Sequence, residues 1–361
     1  MPVFKNKDNG TWYVMARYTD WKGNRKQKCK RGFSTKREAQ AWERMFQLQS
    51  SSDMDMTFAA YAELYDADMK PRIKENTWLT KEHITRTKIL PYFGKKIISE
   101  ITARDVIAWQ NELLKYRDEK GQPYSQTYLK SVHNQLSAMF NHAVKYYSLG
   151  SNPAAKAGNM GAEEAGEMQF WTKDEYMKFA EVMMDKPQSY YAFEMLYWCG
   201  IREGELLALT ANDLDFEKQT VTINKSYQRL HGEDVITTPK TRKSNRVIKM
   251  PAFLCEEMKD YLKMLYDLKE TDRIFNVTKS YLYHEMNRGA EQAGVKRIRV
   301  HDLRHSHVSM LIDMGFSPVA IADRLGHESI RTTFHYAHLF PSKQIEMANR
   351  LENERSIDNV R

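Results

Sequence analysis

The sequence predicts a multidomain protein, mainly α with some β: a small N-terminal β-sheet plus helix, then a helical bundle, then a mixed α+β domain. Three observations carry that prediction. At 361 residues the chain is long enough for two or three cores of ordinary size. Its charge is uneven, because residues 1–50 hold twelve of the 55 Lys/Arg and four of the 47 Asp/Glu, so the whole formal excess of +8 lies there and the remainder is balanced. Two stretches, 49–57 and 151–169, then read as linkers and set expected domains at 1–50, 57–157 and 168–361.

In the first segment "TWYVMARYTD" alternates bulky apolar and polar residues, "WKGN" supplies a turn, and "RKQKCKRGF" returns as a second strand. A helix follows in "STKREAQAWERMFQLQ", with Thr35 and Glu38 as a capping box and Ala39, Trp42, Met45 and Phe46 at helical spacing. The sheet would interleave Arg17, Lys22, Arg25, Lys26, Lys28, Lys30 and Arg31 with Trp12, Tyr13 and Trp21, which suits a DNA backbone and a β-ribbon in a groove. A basic, solvated hairpin is the plainer alternative.

The second segment reads as four helices, in "FAAYAELYDADM", "NTWLTKEHITRTKILPYFG" ending at Pro91 and Gly94, "TARDVIAWQNELLKY" capped by Thr102, and "SQTYLKSVHNQLSAMFNHAVKYYSLG". Its His83, His133 and His142 have polar neighbours and are expected at the surface or at helix boundaries. The third segment opens on a helix capped by Thr172 and Glu175, continues helical to about Leu209, reads as strands in "TVTINKSYQRL" and "VITTPKTRKSNRVIKM", and returns to helix from Pro251.

Three widely spaced cysteines, Cys29, Cys199 and Cys255, support neither a disulfide framework nor a zinc ribbon, and point to a reducing cytoplasm. No apolar run approaches the roughly 20 residues of a membrane span, and "MPVFKNKDNGTWY" is no signal peptide.

Six of the eleven histidines, His301, His305, His307, His327, His335 and His338, fall between 301 and 338. Metal binding is one reading of that cluster, but H-E-x-x-H is absent and Arg304 would put a cation among the ligands. A phosphate site is the other. "VHDLRHSH" puts His301 and Arg304 at i and i+3 on one helical face, and "CGIREGELLAL" puts Arg202 just before a helical run, where two guanidinium forks could neutralise a phosphodiester. Taken alone, each arginine reads as a surface ion pair. Tyr336 has a phenol with a pKa of roughly 10, so it needs a base or flanking cations to attack anything. As one of 20 tyrosines it could equally be packing.

Together, Arg202 in "GIREGELLAL", the expected hairpin "TPKTRKSNRVI", "HDLRHSH", "LGHES" and Tyr336 nine residues beyond His327 resemble the tyrosine recombinase family of phage-integrase type, over residues from about 170 to 340. The first two segments resemble the arm-binding β-domain and helical core-binding domain of integrases from phages and conjugative transposons. The resemblance implies DNA cleavage and rejoining of the type IB topoisomerase kind, through a 3′-phosphotyrosyl link and a free 5′-hydroxyl. In it Tyr336 is the nucleophile, Arg202 and Arg304 clamp the non-bridging oxygens, His301 accepts or relays the tyrosine proton, and His327 bonds a phosphate oxygen. Lys240, or Lys243 in another register, is the general acid, and Glu205 orients the site from behind Arg202. His305, His307, His335 and His338 are expected to be structural.

Because the covalent link conserves phosphodiester energy, no metal, nucleotide or other cofactor is expected. Expected partners are double-stranded core and arm attachment sites, sister subunits of a homotetramer on DNA, an excisionase and a host DNA-bending protein, in the cytoplasm and on the nucleoid of a bacterial host. "PSKQIEMANRLENERSIDNVR" reads as a short helix ending in a polar tail, which the resemblance would dock on a neighbouring subunit and which reads equally as an exposed, frayed end. A chromosome-dimer-resolving recombinase is the nearest alternative, though such enzymes generally lack a basic N-terminal β-domain. A regulator that only binds DNA leaves the spacing of the six motif residues without a cause.

Overall fold

The computed structural model describes residues 3–6, 10–19, 25–50, 54–162, 168–239, 241–329 and 336, the side chains of 18, 19, 26, 44–50 and 242 excepted. The chain divides into two compact units, 1–165 and 166–361.

Unit one begins with an antiparallel sheet in the order β1 (Val3–Lys5), β2 (Trp12–Thr19), β3 (Arg25–Phe33). The helix α1 (Lys36–Ser50) buries Ala39 against Val14 and Ala16. Its capping box is formed, with Glu38 N–H on Thr35 Oγ1 at 3.2 Å and Thr35 N–H on Glu38 Oε2 at 3.2 Å. Strand register sorts the basic residues. Val14 pairs with Lys30 and Ala16 with Lys28, so these lysines share the face that α1 covers, and Lys30 lies over the Trp42 ring at 5.3 Å. Arg17, Arg25 and Arg31 stand on the opposite, open face with Tyr13, which stacks on Phe4. Lys22 and the Lys26 side chain lie outside the described residues.

The rest of the unit is the helical bundle α2 (Phe58–Met69), α3 (Glu75–Ile84), α4 (Leu90–Phe93), α5 (Ala103–Lys115), α6 (Gln126–Tyr146) and the short α7 (Pro153–Ala157), around Phe58, Tyr61, Phe93, Trp109, Leu136 and Phe140. Helix α3 runs into α4 through a π turn at Thr85–Ile89. Pro91 supplies no N–H to the turn before it, and the Trp109 indole donates to Lys88 O at 2.8 Å there.

Three expectations are corrected here. The stretch read as a polar linker buries Met54 and Met56 in the bundle core, and α7, from the second linker, buries Pro153 and Ala154 there. His133 and His142 are buried rather than superficial: Gln110 reaches the first at 3.1 Å, and the Tyr61 hydroxyl lies 2.9 Å from the second. Only His83 is exposed as expected among the three.

Unit two packs α8 (Lys173–Met183), α9 (Pro187–Cys199), α10 (Glu203–Leu206), α11 (Ala252–Met264), α12 (Lys279–Gln292), α13 (Asp302–Asp313) and α14 (Pro318–Leu325) with five short strands. Strands β4 (Leu214–Asp215), β5 (Thr220–Ile223) and β8 (Arg246–Lys249) form one antiparallel sheet, and β6 (Ser226–Leu230) with β7 (Glu233–Thr237) forms a separate hairpin. "TVTINKSYQRL" thus serves two sheets. "TPKTRKSNRVI" is not the hairpin expected of it: β7, ending at Thr237, pairs with β6, and β8, opening at Arg246, pairs with β5, and the described residues between them include a 3₁₀ turn at Arg242–Ser244. The main core includes Trp171, Phe179, Phe193, Leu206, Val221 and Leu303, while Val308, Ile312, Ile321, Leu325 and Tyr336 form a satellite cluster.

Candidate active site

Helix α9 ends at Gly200, where φ is +62° and a β-carbon would lie 2.4 Å from the His307 ring, so glycine alone makes this turn and allows this approach. The turn delivers Arg202 to the N-cap of α10. Its backbone N–H donates to Glu205 Oε2 at 3.0 Å and its Nη1 to Glu205 Oε1 at 2.7 Å. Arg246 grips the same carboxylate from β8, Nη1 on Oε1 at 3.2 Å and Nη2 on Oε2 at 2.8 Å. Burial pushes the Glu205 carboxyl up, but the hydrogen bonds and charge of Arg246, with Arg202, hold it below its ordinary value. A buried anion thereby fixes the root of a half-exposed guanidinium.

Arg304, in the first turn of α13, is 3% exposed and donates from Nη1 to Gly200 O and from Nη2 to Leu325 O, both at 2.7 Å. It therefore ties the end of α9 to the end of α14. Arg246 Nε donates to Arg324 O at 3.0 Å, so two arginines close the carbonyl end of α14 just before Gly326, whose φ is +66°. Burial, then the Arg202 cation, push Arg304 down to about 9, which leaves it charged at neutral pH.

Tyr336 is 3% exposed among Val308, Ile312, Ile321 and Leu325. Burial pushes its phenol up to about 12, against the pull of Arg304, so it is neutral in the free chain. Its hydroxyl is bonded to Nδ1 of His305, not to the expected His301, whose exposed side chain meets the His305 ring edge-on at 5.3 Å. His301 is nonetheless pushed down to about 4, by the desolvation of its surroundings and then by His305 and Arg304. His327, 8% exposed, is pushed down to about 3 by burial and then by Arg304, Arg202 and Arg246. Both rings are neutral imidazoles near pH 7. His307 is structural, fully buried and accepting from Arg324 Nε at 3.1 Å. Lys243 Nζ donates to Glu328 O at 3.3 Å; Lys240, His335, His338 and the tail lie outside the described residues. Among the described residues no group of three or more His, Cys, Asp or Glu is placed to hold a metal ion.

Against known proteins, residues 169–343 match the model of the phage integrase family, residues 2–50 that of an arm DNA-binding domain, and residues 57–114 that of a phage integrase N-terminal SAM-like domain. The ICEBs1 integrase of Bacillus subtilis is 30% identical over 323 residues, covering 82% of this chain and 83% of that one. The chain belongs to the phage integrase family. As a member it is a tyrosine recombinase, an enzyme that cleaves and rejoins DNA. Solved structures share its fold, two of them as follows. The Tn1549 transposon integrase in complex with transposon right-end DNA superposes with a TM-score of 0.66 at 20% identity, covering 84% of this chain and 100% of that one. A lambda integrase tetramer bound to a Holliday junction gives 0.58 at 18% identity, covering 95% of both. Among the described residues no helix is long and apolar enough to cross a membrane.

The integrase fold gathers Arg202, Glu205, His301, Arg304, His327 and Tyr336 in one corner of unit two, while the basic residues of the sheet belong to unit one. Two residues of that corner escaped the sequence reading. Arg246 was in view in "TRKSNRVI", but its partner Glu205 lies 41 positions away. His305 directly follows Arg304, yet its partner Tyr336 is 31 positions on. Neither pairing leaves a local pattern.

Proposed function

We propose that this integrase inserts and excises a mobile element such as a prophage or conjugative transposon, cutting each strand through Tyr336. The observation that carries this reading is convergence on the turn after α9: Arg304 donates to Gly200 O two residues before Arg202 and to Leu325 O two residues before His327, while the residue after Arg304, His305, meets the Tyr336 hydroxyl. A phosphodiester brought there meets two guanidinium groups preorganised for the charge that develops on its non-bridging oxygens. The Tyr336 oxygen forms a bond to phosphorus as its proton leaves toward an imidazole, which the family resemblance makes His301. The bond to the 5′-oxygen breaks, and that oxygen takes a proton from Lys240, with Lys243 the competing donor. His327 hydrogen-bonds a phosphate oxygen, and Glu205 keeps Arg202 in place. Reversal with an incoming 5′-hydroxyl reseals the strand.

In this reading residues 1–50 bind arm-type sites, 57–157 bind core sites, and 168–361 carry catalysis and the tail. The lambda integrase tetramer bound to a Holliday junction supports a homotetramer on DNA. The same reading puts the enzyme in the cytoplasm on the nucleoid, with an excisionase and a host DNA-bending protein as proposed accessory partners. Tyr336→Phe removes the attacking oxygen and little else. Covalent protein–DNA complexes on a nicked suicide substrate should vanish while DNA affinity is retained, and a persisting covalent product overturns the assignment.

A further inference from the structure

We propose that His305, in place of the His301 that the resemblance names, takes the Tyr336 proton as the phenol oxygen attacks phosphorus and is thus a further catalytic residue, with the nearby Asp302 carboxylate biasing its ring toward the tautomer that can accept. This rests on Tyr336 being the nucleophile. Three observations support it. The Tyr336 hydroxyl is already bonded to His305 Nδ1, with ring centroids 5.5 Å apart. Behind the ring, Asp302 Oδ1 lies 3.7 Å from Nε2, and this carboxylate is 1% exposed and fixed by the Arg299 backbone N–H at 2.8 Å and Arg299 Nη2 at 2.8 Å. An acceptor-only group beside Nε2 favours the proton there and leaves the Nδ1 lone pair for the phenol. The imidazole is also desolvated, which keeps it neutral and able to accept near pH 7. The groups facing His305 are Asp302, Arg299, Arg304, His301, His327 and Tyr336.

The order is nucleophile, base, orienting carboxylate. The Tyr336 oxygen–phosphorus bond forms, the bond to the 5′-oxygen breaks with its electron pair going to that oxygen, and the phenol proton passes to Nδ1. The imidazolium is held beside Asp302, and on resealing it returns the proton to the departing Tyr336 oxygen.

The test isolates this proton transfer. In a nicked suicide substrate with sulfur replacing the bridging 5′-oxygen, the leaving group needs no acid, so covalent-complex formation reports removal of the tyrosine proton. With the full chain, His305→Ala and the near-isosteric His305→Asn should both react about 10²-fold or more slowly at neutral pH, the scale of a lost general base. DNA affinity should be retained, the rate should climb with hydroxide across the alkaline range, and added imidazole should rescue the alanine variant. If either variant reacts at the parent rate with the parent pH profile, His305 is not the base. A Tyr336→Phe control separates the two failures: covalent product from it removes the nucleophile, whereas a silent control beside full-rate His305 variants removes only this inference.

Discussion

Glu205 shows how much of this site rests on one side chain. Both its oxygens are engaged by Arg246, and the Arg202 backbone and guanidinium fill what remains. Breaking a buried ion pair from one side costs more than the pair contributes, because a desolvated charge is left behind. Arg246→Ala should therefore lower unfolding stability by about 3–5 kcal/mol in denaturant titrations and slow cleavage by whatever chain remains folded. Lysine should not substitute, since one ammonium cannot reproduce the bidentate grip and also reach Arg324 O. A loss below about 1 kcal/mol would place the pair among solvent-screened surface contacts.

Among the elements, the turn between α9 and α10 does the most, because it aims Arg202, receives Arg304 and touches His307. Gly200→Ala should cost roughly 1–2 kcal/mol for the left-handed backbone alone, and more for the 2.4 Å approach to His307. Thermal melts of the full chain would register it, and an unchanged midpoint would mean that the turn relaxes freely. Some elements were legible because their cause is local. The capping boxes at Thr35 and Thr172 are each written in four consecutive residues, and the spacing of Arg202, His301, Arg304, His327 and Tyr336 is written in short motifs. Others depend on distant chain. Strand β1 has three residues and exists only by pairing with β2, and the alternation of "TVTINKSYQRL" does not reveal a change of sheet at Asn224 and Lys225. Met54 looks like linker until the bundle closes over it, and His133 is buried because Gln110 arrives from α5.

Over the whole molecule, charge and proposed chemistry occupy different ends of the chain, since the cationic excess lies in residues 1–50 and the proposed phosphate-centred site in unit two. Deleting residues 1–50 should spare binding to the crossover site, abolish binding to distal sites, and flatten the salt dependence by about 0.9 in log–log slope for each phosphate that is no longer neutralised. Equal affinity of the truncated and full chains for every site would refute an arm-binding role. With Tyr336 as the proposed nucleophile, its burial also bears on the safety of the host. A recombinase passes over a great length of chromosome for every site it serves, and each phosphodiester on the way is a bond it could break. With its hydroxyl shut in beside Val308, Ile321 and Leu325, the phenol is out of reach of a strand met in passing. Opening the site to a strand takes binding energy that a correctly assembled site supplies and a chance encounter does not. In that reading the apolar contacts that join α13 to α14 act as a safeguard against random nicking.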